Sequence, residues 1–112
     1  MFDGMKNIGD LMGLMKNARQ LQERMTSLQD EMGRKTVTAD AGAGAVTATV
    51  NGRMELVQLK IDKARVDPGD TEMLEDLIVS AVRMAQEKAG EMMKEEMSRA
   101  AADMGLPPGF LP

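Results

Sequence analysis

The sequence predicts an α+β fold in the order α-β-β-β-α, with a three-stranded antiparallel sheet flanked by two long helices. Three observations carry this expectation. Apolar residues recur at helical spacing on both sides of the chain, over Leu11–Met32 and Leu74–Met97. Between them lies Gly42–Asp62, GAGAVTATVNGRMELVQLKID, the one long stretch that reads as strand. At its centre stands Asn51-Gly52, a pair suited to a two-residue turn because both residues tolerate φ > 0.

The first helix is expected over about Asp10–Met32, with Asp10 as N-cap and Gly33 as the stop. Leu11, Leu14, Ala18, Leu21, Met25, Leu28 and Met32 alternate spacings of three and four, a heptad seam suited to packing lengthwise on another helix. Lys16, Arg19 and Glu23 fall on the opposite face. Arg34–Asp40 is a short β-prone run, with Val37 and Ala39 alternating against Thr36 and Thr38. Ala41-Gly42-Ala43-Gly44 is a connector. It is not a nucleotide-binding fingerprint, since it lacks the third glycine and leads into a strand.

In the hairpin, a two-residue turn sets Val50 opposite Arg53, Ala48 opposite Glu55 and Val46 opposite Val57. Val46, Ala48, Val50, Val57, Leu59 and Ile61 then share one face, and Thr47, Thr49, Met54 and Leu56 the other. Glu55 is a misfit on the apolar face, so a bulge near Val57-Gln58 is the alternative. Asp67-Pro68-Gly69-Asp70 breaks the chain before a second helix over Thr71–Ala102, capped by Asp70 or Thr71. Its apolar stripe is Leu74, Leu77, Ile78, Ala81, Ala85, Ala89, Met92, Met93 and Met97, weakened locally by Gly90. Such a helix is roughly 48 Å long. A compact chain of this size has a radius of gyration of about 13 Å. The helix must therefore overhang its own sheet, and the overhang together with open sheet edges predicts a homodimer. Residues 1–104 read as a single domain, frayed over Met1–Gly9, and 105–112 as a Pro-rich flexible tail after a stop at Gly105.

Composition narrows the function. The 112 residues include 13 Met and two Phe but no Trp, Tyr, Cys or His. Thiolate, imidazole and Cys/His zinc chemistry are excluded, and absence of cysteine fits a cytoplasmic protein. No signal peptide is expected from MFDGMKNIGDLM, and no apolar run approaches a membrane span. Glu72, Glu75 and Asp76 sit where a helix dipole favours acids, which explains them without a divalent cation. The net charge is −4, but unevenly spread: Arg34–Val66 has six bases against three acids, and Asp67–Pro112 four bases against ten acids. An acidic total argues against polyanion binding by bulk charge and leaves local basic surfaces.

Five blocks carry a resemblance across nearly the whole chain: LMKNARQLQERM at Leu14–Met25, GAGAVTATVNG at Gly42–Gly52, VQLKID at Val57–Asp62, EMLEDLIVSAV around Glu72–Val82, and GLPPGF at Gly105–Phe110. In this order they resemble the YbaB/EbfC family of bacterial nucleoid-associated proteins. The resemblance implies a homodimer with a sheet core and helices projecting like tweezer arms. It also implies double-stranded DNA as partner in the cytoplasm and nucleoid, with an effect on nucleoid organisation and gene expression. It implies no enzymatic activity, cofactor, metal, membrane or small-molecule substrate. The chain departs from the family pattern at Val82, where Phe is common, and at Arg53-Met54, where small residues are common.

On this reading the candidate DNA contacts are Lys16, Arg19 and Arg24 on the first helix, and Lys88, Lys94 and Arg99 on the second. Arg34, Lys35 and Arg53 join them from the basic middle segment, which also contains Lys60, Lys63 and Arg65. Glu87, Glu91, Glu95 and Glu96 can neutralise the cations of the second helix. The alternative function is a non-enzymatic protein-interaction module using the long Met-rich helices.

Overall fold

The computed structural model describes residues 8–106, so most of the start expected to fray and of the Pro-rich tail lies outside the described residues. The order is α1 (Ile8–Arg34), β1 (Thr36–Ala41), β2 (Val46–Asn51), β3 (Leu56–Ile61) and α2 (Thr71–Asp103). The strands form one antiparallel sheet in the order β1-β2-β3. The principal extents are 75 × 21 × 20 Å, and the radius of gyration is 21.4 Å. A compact chain of this length measures about 13 Å, so the overhang expected from helix length is realised.

Local chemistry sets the ends of α2. The Asp70 carboxylate accepts a hydrogen bond from the Met73 N–H at 3.1 Å, satisfying a donor that the first turn leaves free. At the other end Gly105 adopts φ +72°. Its N–H bonds to the Ala102 carbonyl and that of Leu106 to the Ala101 carbonyl, the paired bonds of a Schellman motif. The first helix departs from expectation at both ends. Asp10 lies inside its first turn and Gly33 inside its last, because the backbone continues helical to Arg34 and the chain then enters β1 with no left-handed residue.

The core lies between α2 and the first two strands. Ala81, Ala85 and Ala89 recur every four residues, so they form one stripe. They are fully buried against Ala39, Ala41, Val46, Ala48 and Val50, with Leu74, Leu77, Ile78 and Val82 at the margin. Small residues on both partners let the helix lie close to the sheet. The opposite sheet face, with Thr36, Thr38 and Asp40 on β1, Thr47 and Thr49 on β2, and Gln58 and Lys60 on β3, is polar. A second cluster sits beyond the sheet, where Leu28 and Met32 of α1 and Ala100 of α2 are buried together with Met93 and Met97 against them.

The hairpin turn corrects the expected register. Asn51-Gly52 does not form a two-residue turn. The Asn51 N–H bonds to the Glu55 carbonyl at 3.0 Å, closing a three-residue loop in which Met54 takes φ +66°. Val50 then faces Leu56, Thr49 faces Gln58, Ala48 faces Leu59 and Val46 faces Ile61, leaving Val57 as the extra residue of a bulge. The bulge replaces Glu55 by Leu56 on the apolar face, so no carboxylate is placed opposite Ala48.

Gly90 faces the tip of Met54, whose Cε stands 3.1 Å from where a Cβ would be. That methyl is the end of a flexible, exposed side chain. Gly90→Ala is therefore expected to stabilise the protein by about 0.5–1 kcal/mol through helix propensity. Urea unfolding checks this, and a lower midpoint for the variant would mean that Met54 cannot yield.

Candidate nucleic-acid interface

A phosphate-binding surface needs cations that are exposed and uncommitted, carried on an element that can reach a duplex. The first helix supplies such an element. It is anchored only at its C-terminal end, by Leu28 and Met32, and by the hairpin tip. No residue from 9 to 27 is buried, so roughly 30 Å of helix stands clear of the core. Lys16 and Arg19, three residues apart on one face, are exposed on this arm together with Arg24. None of the three forms an ion pair among the described residues. The seam residues Leu11 and Leu14 are also exposed, as are Met12 and Met15. Only Leu28 and Met32 of the seven seam positions are buried within the chain.

The arm is fastened by Asn51-Gly52, a role that sequence reasoning misses. Gly52 donates its N–H to the Met32 carbonyl at 2.8 Å and shares it with the Lys35 carbonyl at 3.1 Å. A Cβ on Gly52 would lie 2.8 Å from both the Met32 carbonyl oxygen and its Cβ. Asn51 is buried, and both ends of its amide are used. Its oxygen accepts from the Arg53 and Glu55 N–H groups, and its nitrogen donates to the Gly33 carbonyl and the Glu55 carboxylate. One side chain thus shapes the loop and ties it to the end of α1. The sequence signal is the pair itself, but it indicates turn geometry and not this tertiary contact.

The other candidate cations divide by their partners. Arg34 is exposed in the last turn of α1, where the helix dipole favours a cation. Lys94 is exposed on α2 without an ion pair among the described residues. Arg53 lays its stem along Gly33. Lys88 donates to the Thr38 carbonyl on edge strand β1 at 3.0 Å. Lys35 and Arg99 meet at a single carboxylate oxygen, Glu96 Oε1, at 2.8 Å and 3.0 Å. Glu96 is among the acids expected to neutralise cations of the second helix, and it does so for Arg99. Its pairing with Lys35 is new. Arg65 is held by Asp62 and the Ala43 carbonyl. Lys60 and Lys63 border an open cleft of about 380 Å³ with Gly44, Thr47, Ile61 and Asp62. Of the nine candidates the structure brings Lys35 and Arg99 together, at Glu96.

The hydrogen bond from Lys35 holds the Glu96 carboxyl below its ordinary value of 4.5; partial burial opposes this, and the Arg99 charge reinforces it. A carboxyl lowered on folding contributes stability above its unfolded value and loses it as pH falls through the folded value. The melting-temperature gap between the wild type and Glu96→Gln is thus expected to be present at about pH 7 and to close toward about pH 3. Thermal melts at the two pH values check this; an equal gap at both would refute it.

Among the described residues there is no group of acids, Cys or His suited to a metal ion, and no helix is long and apolar enough to cross a membrane. The model of the YbaB/EbfC DNA-binding family matches residues 5–104. A nucleoid-associated protein of Gemmatimonas aurantiaca is 45% identical over 98 residues, covering 88% of this chain and 94% of the relative. A nucleoid-associated protein of Paramagnetospirillum magneticum is 46% identical over 106 residues, covering 95% of this chain and 96% of the relative. The crystal structure of an uncharacterized protein from Helicobacter pylori superposes with a TM-score of 0.62 at 23% identity, covering 88% of this chain and 96% of that one, and shares the fold.

Proposed function

Since the chain belongs to the YbaB/EbfC DNA-binding family, we propose that it is a nucleoid-associated protein of the cytoplasm that binds double-stranded DNA as a homodimer and organises the nucleoid, with consequences for gene expression. The observation that carries this reading is the free arm of α1 with Lys16, Arg19 and Arg24 exposed and uncommitted. Arg34 and Lys94 add cations toward the anchored end. Phosphates of a duplex suit such a surface, because contacts to them need charge and reach but no groove-filling side chains. Single-stranded nucleic acid suits it poorly, since the chain has no Trp or Tyr on which bases could stack. The chemistry proposed is binding alone, without catalysis, cofactor or small-molecule substrate.

The homodimer is supported by β3. Its six residues are all exposed, including Leu56, Val57, Leu59 and Ile61, although Leu59 and Ile61 share the face on which Val46 and Ala48 are fully buried. The core helix α2 packs on β1 and β2 and leaves this strand uncovered. Lys88 reaches the opposite edge strand, whereas β3 offers an apolar surface beside an unpaired edge, which a second copy would cover. Two copies would carry two arms, each with Lys16, Arg19 and Arg24.

The test is fluorescence anisotropy of a short labelled duplex across a salt series. Binding is expected to weaken linearly in log salt, with a slope of about −0.9 per phosphate neutralised. Lys16→Glu/Arg19→Glu is expected to weaken binding by about tenfold or more and to flatten the slope. A flat titration of the wild type at about 50 mM salt sinks the DNA reading and favours a helical protein partner for the exposed Leu and Met of α1.

A further inference from the structure

We propose that Glu96 sets the DNA affinity of this protein by competing with phosphate for Lys35 and Arg99. This rests on the DNA-binding reading above and assigns it an attenuating residue. The geometry is specific. One oxygen, Glu96 Oε1, accepts both from Lys35 Nζ at 2.8 Å and from Arg99 NH1 at 3.0 Å. The Glu96 side chain is only 16% exposed, while those of Lys35 and Arg99 are 43% and 63% exposed. The acid is thus mostly covered by its surroundings and the two cations remain open to solvent, where a phosphate can approach them. A phosphate oxygen and Glu96 Oε1 are the same kind of ligand for an ammonium or guanidinium group. Each cation turned toward DNA must leave Glu96 with less compensation, so its gain from phosphate is reduced by what it gives up.

The position of the cluster makes the competition matter. Lys35 directly follows α1, the helix that carries the free arm, and Glu96 lies on α2, 61 residues away. The pair therefore joins the base of the arm to the second helix, next to the exposed Arg34. Two cations meet one carboxylate there, and a third, Arg34, precedes Lys35 in the chain. With Glu96 ionised, two of those cations are shared with it and only Arg34 is uncommitted. Without that charge, all three are available to a duplex lying along the base of the arm. The other acids of α2 are not equivalent. Glu91 takes part in no ion pair among the described residues, so removing its charge frees no cation.

The test compares Glu96→Gln with Glu91→Gln in duplex anisotropy titrations of the full chain. Glutamine keeps the size and one acceptor oxygen, removes the charge, and puts an amide donor in place of the other oxygen. Glu96→Gln is expected to tighten binding about fivefold to tenfold at about 0.1 M salt, and to steepen the log–log salt slope by about 0.9 for each further phosphate neutralised. Glu91→Gln, which alters bulk charge equally, is expected to change affinity by less than about twofold. Placing Glu96→Gln in a Lys35→Gln/Arg99→Gln background should abolish the gain. A second variant decides the matter should Glu96→Gln fail to fold. Glu96→Ala, which removes the same charge without leaving an amide, should tighten binding to a similar degree. The proposal is overturned if neither Glu96→Gln nor Glu96→Ala binds tighter than Glu91→Gln, or if the gain persists in the Lys35→Gln/Arg99→Gln background. Those outcomes with a wild type that binds in a salt-dependent way leave the DNA reading standing. A wild type that does not bind overturns both.

Discussion

Gly52→Val is expected to release α1 from the rest of the protein. The α-carbon of Gly52 lies so close to α1 that a Cβ would sit 2.8 Å from the Met32 carbonyl oxygen and 3.1 Å from its Cα. These are helix backbone atoms, which cannot swing aside as a side-chain tip can. Overpacking of this kind costs about 1–3 kcal/mol. Separating the two segments also breaks the shared hydrogen bond of the Gly52 N–H to the Met32 and Lys35 carbonyls, worth about 1 kcal/mol. The arm has few other anchors: Leu28, Met32, the Asn51 amide on the Gly33 carbonyl, and the Lys35–Glu96 pair. A loss of about 2–4 kcal/mol is a large share of what they supply. Circular dichroism should lose helical signal, the main transition should fall by about 10 °C or more, and trypsin should cut first at Lys16, Arg19 and Arg24. A variant that melts within about 2 °C of the wild type, with the arm still protected, would refute the clamp.

Leu59→Lys/Ile61→Lys is expected to separate the proposed dimer while leaving the protomer folded. Both side chains lie on the α2 side of the sheet but outside the shadow of α2, and each is already more than a third exposed. The substitution therefore creates no cavity in the core around Val46 and Ala48. In a dimer that covers β3, by contrast, it places four like charges in a desolvated seam, where unpaired charges cost several kcal/mol each. Sedimentation should shift from dimer to monomer at micromolar concentration with little loss of helical signal. Duplex affinity should fall by roughly a hundredfold, because two linked arms bind with far greater avidity than one. An unchanged sedimentation coefficient would move the interface away from β3 and toward the exposed seam of α1.

The two results separate arm attachment from arm pairing. Gly52→Val disorders the arm in each protomer, and the β3 variant leaves each arm intact but single. Both should weaken DNA binding, yet only the first should lower the helical content. Comparing them with Lys16→Glu/Arg19→Glu, which touches neither the clamp nor β3, distinguishes loss of charge from loss of architecture.

Much of this molecule follows from residues within a few positions of one another. The order α-β-β-β-α, the Asp70 cap, the Gly105 stop and the alternate burial of Val46, Ala48 and Val50 all depend on local hydrogen bonds and side-chain period. Such features are set by neighbours two to four residues apart, so they are legible along the chain. Helix length alone also dictated an elongated protomer. The bulge near Val57 was readable from the misfit of Glu55, whereas the three-residue loop was not, because Asn51 builds it while also binding Gly33 on another element. The partners of the cations were not readable. Lys35 pairs with a carboxylate 61 residues away and Lys88 with a carbonyl 50 residues away, and no periodicity records such distances. Sequence by itself determined which elements form, that the first helix would be amphipathic, and that it would carry Lys16, Arg19 and Arg24. Tertiary structure decided that Asn51-Gly52 clamps that arm, that β3 stays bare, and which positive charges remain free. The physical reason is that propensity and capping act along the chain, whereas burial and charge neutralisation depend on what folding brings alongside.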